Sequence, residues 1–388
     1  MPGAHALLSP SAASRWMACP ASARATEGIE ENTSSAAEEG TAAHALAEIK
    51  LKRALKQITK KKYETELDAI KATGYYNEEM EEHTDTYVNH VMEAFAEAKA
   101  KTPDAAIEIE ARLDFSDCIP EGFGTGDVII IADGEMSVID FKYGKGVEVD
   151  AENNPQMMIY ALGAIRAFED FYDIRSVWMQ IVQPRLSNFS GMLRGVEHLH
   201  KWRDEELAPA AKAAWDGKGI FVPGEDQCRF CKINRTCKAR ADYHMNLKDT
   251  YELEKANTLT AGDIATILMQ VDDLKRWAEA IKEYALEKAM EGVEIPGFKV
   301  VEGRSNRKIT DEEAAAERLQ KEGYTEEEIY NIKLKGITDL EKKVGKSELA
   351  QILDGVIEKP AGKPALVPET DKRPSLSLST VETEFDFI

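Results

Sequence analysis

The chain of 388 residues contains no apolar run near the roughly 20 residues that cross a bilayer as a helix. Its start, MPGAHALLSPSAASRWMACP, has no basic opening followed by an apolar core, so no signal peptide is read there and a cytoplasmic location is expected. Cysteine is scarce: five in a large acidic chain, an odd number that makes no disulfide framework. No G-x-x-x-x-G-K-[ST] loop is present, so ATP-driven motion is not expected and any strand separation must come from elsewhere. No internal repeat is visible. Positive charge is the minority, 49 Lys and Arg against 70 Asp and Glu, for a formal net charge of −21. That balance argues against tight, sequence-independent coating of duplex DNA, although phosphate binding depends on local patches. Lys50, Lys52, Arg53, Lys56, Lys60, Lys61 and Lys62 form one such patch, readable either as a DNA-facing surface or as a solvated helix face.

Apolar and charged contents of 43% and 31% are those of an ordinary globular protein. Helical composition covers 36–60 and 78–100. The period then changes to two: AIEIEARLDF (106–115) alternates like a half-buried strand, and GDVIIIAD (126–133) and MSVIDFKYG (136–144) are β-branched runs joined by an Asp133-Gly134 turn. A helix over 154–170, a strand over 174–184, a short fifth strand near Ser190–Gly195 and a helix over 198–216 follow. This order predicts an α/β core with a mixed sheet flanked by helices. Beyond the cysteine-rich stretch, Ile264, Ile267, Val271, Leu274, Ala278, Ile281 and Ala285 keep a 3,4 spacing, opened by a capping-box-like Thr260 and Asp263. FKVVEGRSNRKIT reads as a short strand and a basic turn with Arg304, Arg307 and Lys308. Helices are expected at 310–322, 325–333 and 337–355, and a disordered tail from 359. The division expected is 1–245, 246–358 and 359–388.

Chemistry concentrates on two strands. Asp140 and Lys142, two residues apart, share a strand face. Asp127 opens the preceding strand after Gly124-Thr125-Gly126, and a hairpin would bring it near Asp140. Two carboxylates and an ammonium at a sheet edge can hold a hard divalent cation, Mg²⁺ or Mn²⁺, and hydrolyse a phosphodiester. A D-x-K triplet on a strand is also a common solvent-facing ion pair. Cys228, Cys231 and Cys237 stand in the pattern C-x2-C-x5-C, with Cys19 far upstream as candidate fourth ligand and the isolated Cys118 as the alternative. Four thiolates suit either zinc or a [4Fe–4S] cluster, and the residues alone leave that open.

GTGDVIIIADGEMSVIDFKYGKG resembles the G-x-x-D and D-x-K hairpin of RecB-like PD-(D/E)XK nucleases, over about residues 7–240. The resemblance implies a restriction-endonuclease-like core in which Asp127, Asp140 and Lys142 are catalytic and the backbone carbonyl of Phe141 adds a metal ligand. Gln156 and Tyr160 match the family's Gln-x-x-x-Tyr, on one helix face. Gly40 and His44 match its G-x-x-x-H, which makes His44 a further metal ligand. An iron–sulfur subset, AddB-type helicase–nucleases and CRISPR-associated exonucleases, carries one cysteine before the core, in a stretch ending Cys-Pro like Cys19-Pro20, and three after it. That implies a structural [4Fe–4S] cluster on Cys19, Cys228, Cys231 and Cys237, with zinc the lesser candidate. The region beyond 245 resembles the helical end of a phage-encoded family. The expected activity is therefore exonucleolytic, metal-dependent cleavage of single-stranded or frayed DNA, in phage replication or recombination. The alternatives are a non-catalytic DNA-binding or scaffolding subunit and a zinc-stabilised adaptor working through its helices and its TEFDFI tail.

Overall fold

Five strands pair into one sheet and lie in it in sequence order. The computed structural model describes residues 6–29, 34–245, 261–301, 309, 311–331, 334–354 and 356–357. The strands are β1 (Ala106–Asp114), β2 (Phe123–Ile131), β3 (Gly134–Phe141), β4 (Ile174–Gln183) and β5 (Asn188–Gly195). β1, β2 and β3 are successively antiparallel, and β4–β5 is antiparallel too. β3 and β4 run parallel, because a helix crosses over between them. The expected mixed α/β core is therefore present, as an open five-stranded sheet.

The helices of this part are α1 (Ala13–Ala18), α2 (Ala21–Ala25), α3 (Ser35–Ala54), α4 (Lys60–Ala72), α5 (Glu78–Lys101), α6 (Pro155–Phe168), α7 (Val196–Trp202), α8 (Ala208–Trp215), α9 (Glu225–Arg229), α10 (Lys238–Met245) and α11 (Ala261–Met290). Two cores sandwich the sheet. Ile129, Ile131, Met136, Val138, Val177 and Met179 pack with α1, α6, α7 and α8. Val128, Ile130, Ile139 and Phe141 face α3 and α5. α6 is buried along Met157–Ile165, and its start is fixed by Pro155 and by Asn154, whose side chain accepts from the N–H groups of Gln156 and Met157.

Several elements differ from the expectation. The helix expected to reach residue 60 stops at Ala54, where Lys56 turns left-handed (φ 59°) and Gln57 N–H bonds back to Lys52 O. Thr59 then caps a separate α4 that composition did not reveal. The helix over 198–216 is two helices joined by a π turn at Arg203–Leu207. The strand expected in FKVVEGRSNRKIT does not form at 298–301; Arg304, Arg307 and Lys308 lie outside the described residues, as do Thr260 and the tail from 358.

The Lys-rich patch is also largely dismantled. Lys50 is buried, its Nζ 2.7 Å from Asp85 and 3.1 Å from Glu81, tying α3 to α5. Lys52 pairs with Glu48, Lys60 with Glu64 and Lys62 with Glu66, one helical turn apart. No helix among the described residues is long and apolar enough to cross a membrane.

The chain divides into two compact units, Met1–Ala285 and Leu286–Ile388, the division falling inside α11. The second unit holds α12 (Glu312–Lys321), α13 (Glu326–Ile329), α14 (Ile337–Val344) and α15 (Lys346–Ile352). The helix expected over 337–355 is broken there at Gly345, φ 94°.

Candidate metal centre and cysteine cavity

The register of β2 and β3 decides the site. Val128 pairs with Ile139 and Ile129 with Val138, so the next position sets Asp127 opposite Asp140. Asp140 is 3% exposed, and points to the α6 side with Met136 and Val138. Lys142 Nζ lies 3.1 Å from Asp140 Oδ2. Gln156 donates to Asp140 Oδ1 (3.1 Å) and accepts from Lys142 (3.2 Å), while its amide approaches Tyr160 OH (3.4 Å). Phe141 donates its backbone N–H to Asp127 Oδ2 at 2.7 Å. His44, from α3, places Nδ1 3.5 Å from Asp127 Oδ1 and its ring against Phe141. Asp127, Asp140, Lys142, Gln156, Tyr160, His44 and Phe141 thus meet at one place.

The electrostatics show a site crowded with negative charge. Burial pushes Asp140 above the usual carboxylate range, opposed by Lys142 and reinforced by Asp127. Asp127 resists burial and is held low by His44 and the Phe141 N–H. Burial pulls His44 down, but the Asp127 carboxylate, with Asp140 behind it, raises it to about 8. Burial likewise opposes Lys142, yet Asp140 and Asp127 hold it above the ordinary lysine value. Tyr160 is raised by burial and by the Asp140 charge.

One residue of the site was missed: Glu110 on β1. With His44 and Asp127 it forms a group whose ligand atoms all lie within 4.8 Å of one another. Burial and the charges of Asp127 and Glu48 push its carboxyl up to about 7. The alternation of AIEIEARLDF sets Glu108 and Glu110 on one polar face and hides this role. The signal is conformational, a left-handed φ of 54° at a glutamate, and sequence does not display it.

The oxygen-rich group suits a hard divalent cation. Carboxylates that sit this close beside a histidine fit the cation that the resemblance implies.

Cys19, Cys228, Cys231 and Cys237 line a second cavity, together with Ser22, Phe221 and Gln227. Cys19 Sγ accepts from Val222 N–H at 3.3 Å. Among the described residues no three cysteine sulfurs lie within 4.8 Å of one another. A closed tetrahedral zinc site would set them about 3.8 Å apart. Burial pushes Cys228 and Cys231 up, and the neighbouring cysteines add to it. Cys118 does not line this cavity: its thiol donates to Phe115 O at 3.5 Å, and burial with Asp117 pushes it up to about 12.

Fold and site define a mixed α/β protein with an acid–lysine–histidine centre on an open five-stranded sheet. The chain belongs to the family described as "Protein of unknown function (DUF2800)", which it matches over residues 5–374. A solved structure titled "Crystal structure of SSO0001" aligns over 59% of this chain and 96% of its own, at 14% identity and a TM-score of 0.22, too slight a likeness to carry an argument.

Proposed function

We propose that this protein is a metal-dependent nuclease that hydrolyses phosphodiester bonds of DNA from an end, single-stranded or frayed. The observation that carries the reading is Asp140 held between Lys142 at 3.1 Å and Gln156 at 3.1 Å, opposite Asp127 across the β2–β3 pair. Preference for DNA and for an end rests on the RecB-like resemblance. Asp127, Asp140 and His44 would hold Mg²⁺ or Mn²⁺, with the Phe141 carbonyl as a further oxygen. When bound, such a cation polarises the scissile phosphate and acidifies a water.

The chain's own groups do the remaining work. Lys142 is kept protonated by Asp140 and Asp127, so it offers a fixed positive charge where the phosphate gains negative charge. Gln156 bridges Asp140 and Lys142 and so fixes the rotamer of each. Tyr160, kept neutral by burial, can donate to a backbone phosphate oxygen. The four-cysteine cavity would hold a [4Fe–4S] cluster in a structural role, joining α1 to the segment after α8.

The test is digestion of end-labelled single- and double-stranded DNA by anaerobically purified protein, with Mg²⁺, Mn²⁺ or EDTA. Asp140→Asn and Lys142→Ala are expected to cost at least about a hundredfold in rate with unchanged circular dichroism. Wild-type rates in both would sink the assignment. Binding without any cutting would favour a non-catalytic DNA-binding subunit.

A further inference from the structure

Beside the acid–lysine pair lies a small cavity whose Glu110 and Tyr87 the reading above leaves unused. It is walled by His44, Glu48, Tyr87, Glu110, Asp127 and Phe141 and has room for about one water-sized sphere. Its chemistry comes from a kink shared by two strands. On β1, Ile107 and Ile109 pack in the α3–α5 core, yet Ala111 and Leu113, of the same parity, pack in the α6 core. On β2, Val128 and Ile130 face α3–α5, whereas a side chain at Gly126 would meet Leu113 and Ile129 of the α6 core. Both strands therefore turn over at the same place, and the residues at the turnover are Glu110 and Asp127. Ile109 pairs with Val128 and Ala111 with Gly126, which sets these two acids opposite each other.

At Glu110 the turnover is made in the left-handed region, φ 54°, which favours glycine and costs a glutamate strain. The carboxylate so placed makes no hydrogen bond or ion pair among the described residues, although His44 and Asp127 lie within 4.8 Å. Across the cavity stands an independent sign of a missing partner. Tyr87 is 1% exposed, and its hydroxyl is buried with no hydrogen-bond partner. A buried hydroxyl left without a partner is costly unless something polar occupies the space it faces.

We propose that Glu110 is a side-chain ligand of the divalent cation, which sits in this cavity between His44, Asp127 and Glu110, with the Tyr87 hydroxyl bonding to a ligand oxygen or a metal-bound water. The inference rests on the metal reading above and adds β1 and α5 to the elements that build the site. It also divides the labour around Asp127. Glu110 and His44 add to the cation's shell from the β1 and α3 side, and Asp140, held by Lys142 and Gln156, adds to it from the α6 side.

The experiment is Mn²⁺ titration of the full-length, EDTA-stripped protein, followed by calorimetry and by the electron-spin signal of free Mn²⁺, without DNA. Glu110→Gln keeps the shape and the backbone strain but removes the charge; it is expected to weaken Mn²⁺ at least about tenfold. Tyr87→Phe, which leaves the ring packing, should also weaken it about tenfold. Glu110→Gly should lose affinity as Glu110→Gln does while melting in EDTA at or above the wild-type temperature, because glycine relieves the left-handed strain. A purely structural role predicts the reverse for glycine, lower melting with unchanged Mn²⁺ affinity. Wild-type affinity in Glu110→Gln overturns the inference alone. A wild type that takes up no Mn²⁺ overturns the metal reading together with it.

Discussion

Raising the pH of the metal-free protein from 5 to 8.5 should destabilise it, and Mn²⁺ should restore what is lost. Two groups at the candidate metal centre release their protons later in the folded chain than in the unfolded one. Glu110 moves from the ordinary 4.5 to about 7, through burial and the neighbouring Asp127. His44 moves from 6.5 to about 8 because Asp127 outweighs its burial. For both, the folded state holds more protons than the unfolded state inside the shift, so stability falls as pH rises. The loss runs from about 4.5 to 7 for Glu110 and from 6.5 to 8 for His44. Asp140 is raised as well and adds in the same direction. Asp127 is lowered, and its contribution lies below pH 4, outside the window.

At about 1.4 kcal/mol per pH unit the two shifts would sum to roughly 5 kcal/mol. Both side chains are partly exposed and share one partner, so screening and shared charge reduce this to on the order of 2 kcal/mol. For a chain of this size that is a fall of about 2–4 °C in melting temperature. The assay is thermal melting followed by circular dichroism in EDTA, at half-unit steps of pH. A His44→Gln/Glu110→Gln pair serves as the reference that removes every other titrating group. Wild type minus reference should fall across the window and flatten above pH 8.5. Added Mn²⁺ should stabilise the wild type more at pH 8 than at pH 5, since cation and protons compete for the same groups. A difference curve that is flat or rises with pH would refute the electrostatic account of the site.

Two further perturbations test the surrounding framework. Gly191→Ala on β5 would place a Cβ 2.4 Å from the Trp178 ring, so about 1–3 kcal/mol of destabilisation is expected, measured by urea unfolding. Arg240 on α10 and Asp273 on α11 form a buried pair at 2.8 Å, with His244 stacked on Trp277 beside them. Asp273→Ala should cost about 3–5 kcal/mol by leaving Arg240 unpaired, whereas Arg240→Met with Asp273→Leu should cost much less, read from the same unfolding curves.

The sheet and half of the candidate site's geometry could be read in the sequence because both follow from short-range rules. Period-two runs mark strands, and residues two apart on a strand share a face, so Asp140 and Lys142 were bound to meet. Gln156 and Tyr160 lie one helical turn apart, which determines their shared face in the same way. What escaped depends on backbone events without a compositional mark. Lys56 leaves the helix in a left-handed turn with no glycine to announce it, and the shared kink at Glu110 and Asp127 runs against the alternation around it. The Lys-rich stretch stayed undecided for another reason. Linear clustering says nothing about partners, and Glu48, Glu64, Glu66, Glu81 and Asp85 neutralise much of it. Meeting of Cys19 with the distant triplet could be expected only from the family resemblance, since spacing cannot bring residue 19 to residue 228.

That long-range meeting has a mechanical consequence for the proposed catalysis. Cys19 ends α1, and α1 carries Trp16, fully buried in the same core as α6. The short 3₁₀ turn just before it sets Pro10 against the position of Gly124, at the entry to β2, beside Tyr160. A group that ties Cys19 to Cys228, Cys231 and Cys237 therefore holds the N-terminal segment under α6, the helix that supplies Gln156 and Tyr160. Closing a loop of roughly 200 residues is worth at most about 5 kcal/mol by its effect on the unfolded chain. If that were all, Cys19→Ser would lower the melting temperature and leave the turnover of the folded protein untouched. Because the tied segment also backs α6, Cys19→Ser should lower the cleavage rate well below its melting point, with the loss in kcat rather than KM. Cys118→Ser, outside the cavity, should change neither iron content nor rate. Full activity in Cys19→Ser at 15 °C, with a depressed melting temperature, would confine the clasp to stability and detach it from the active site.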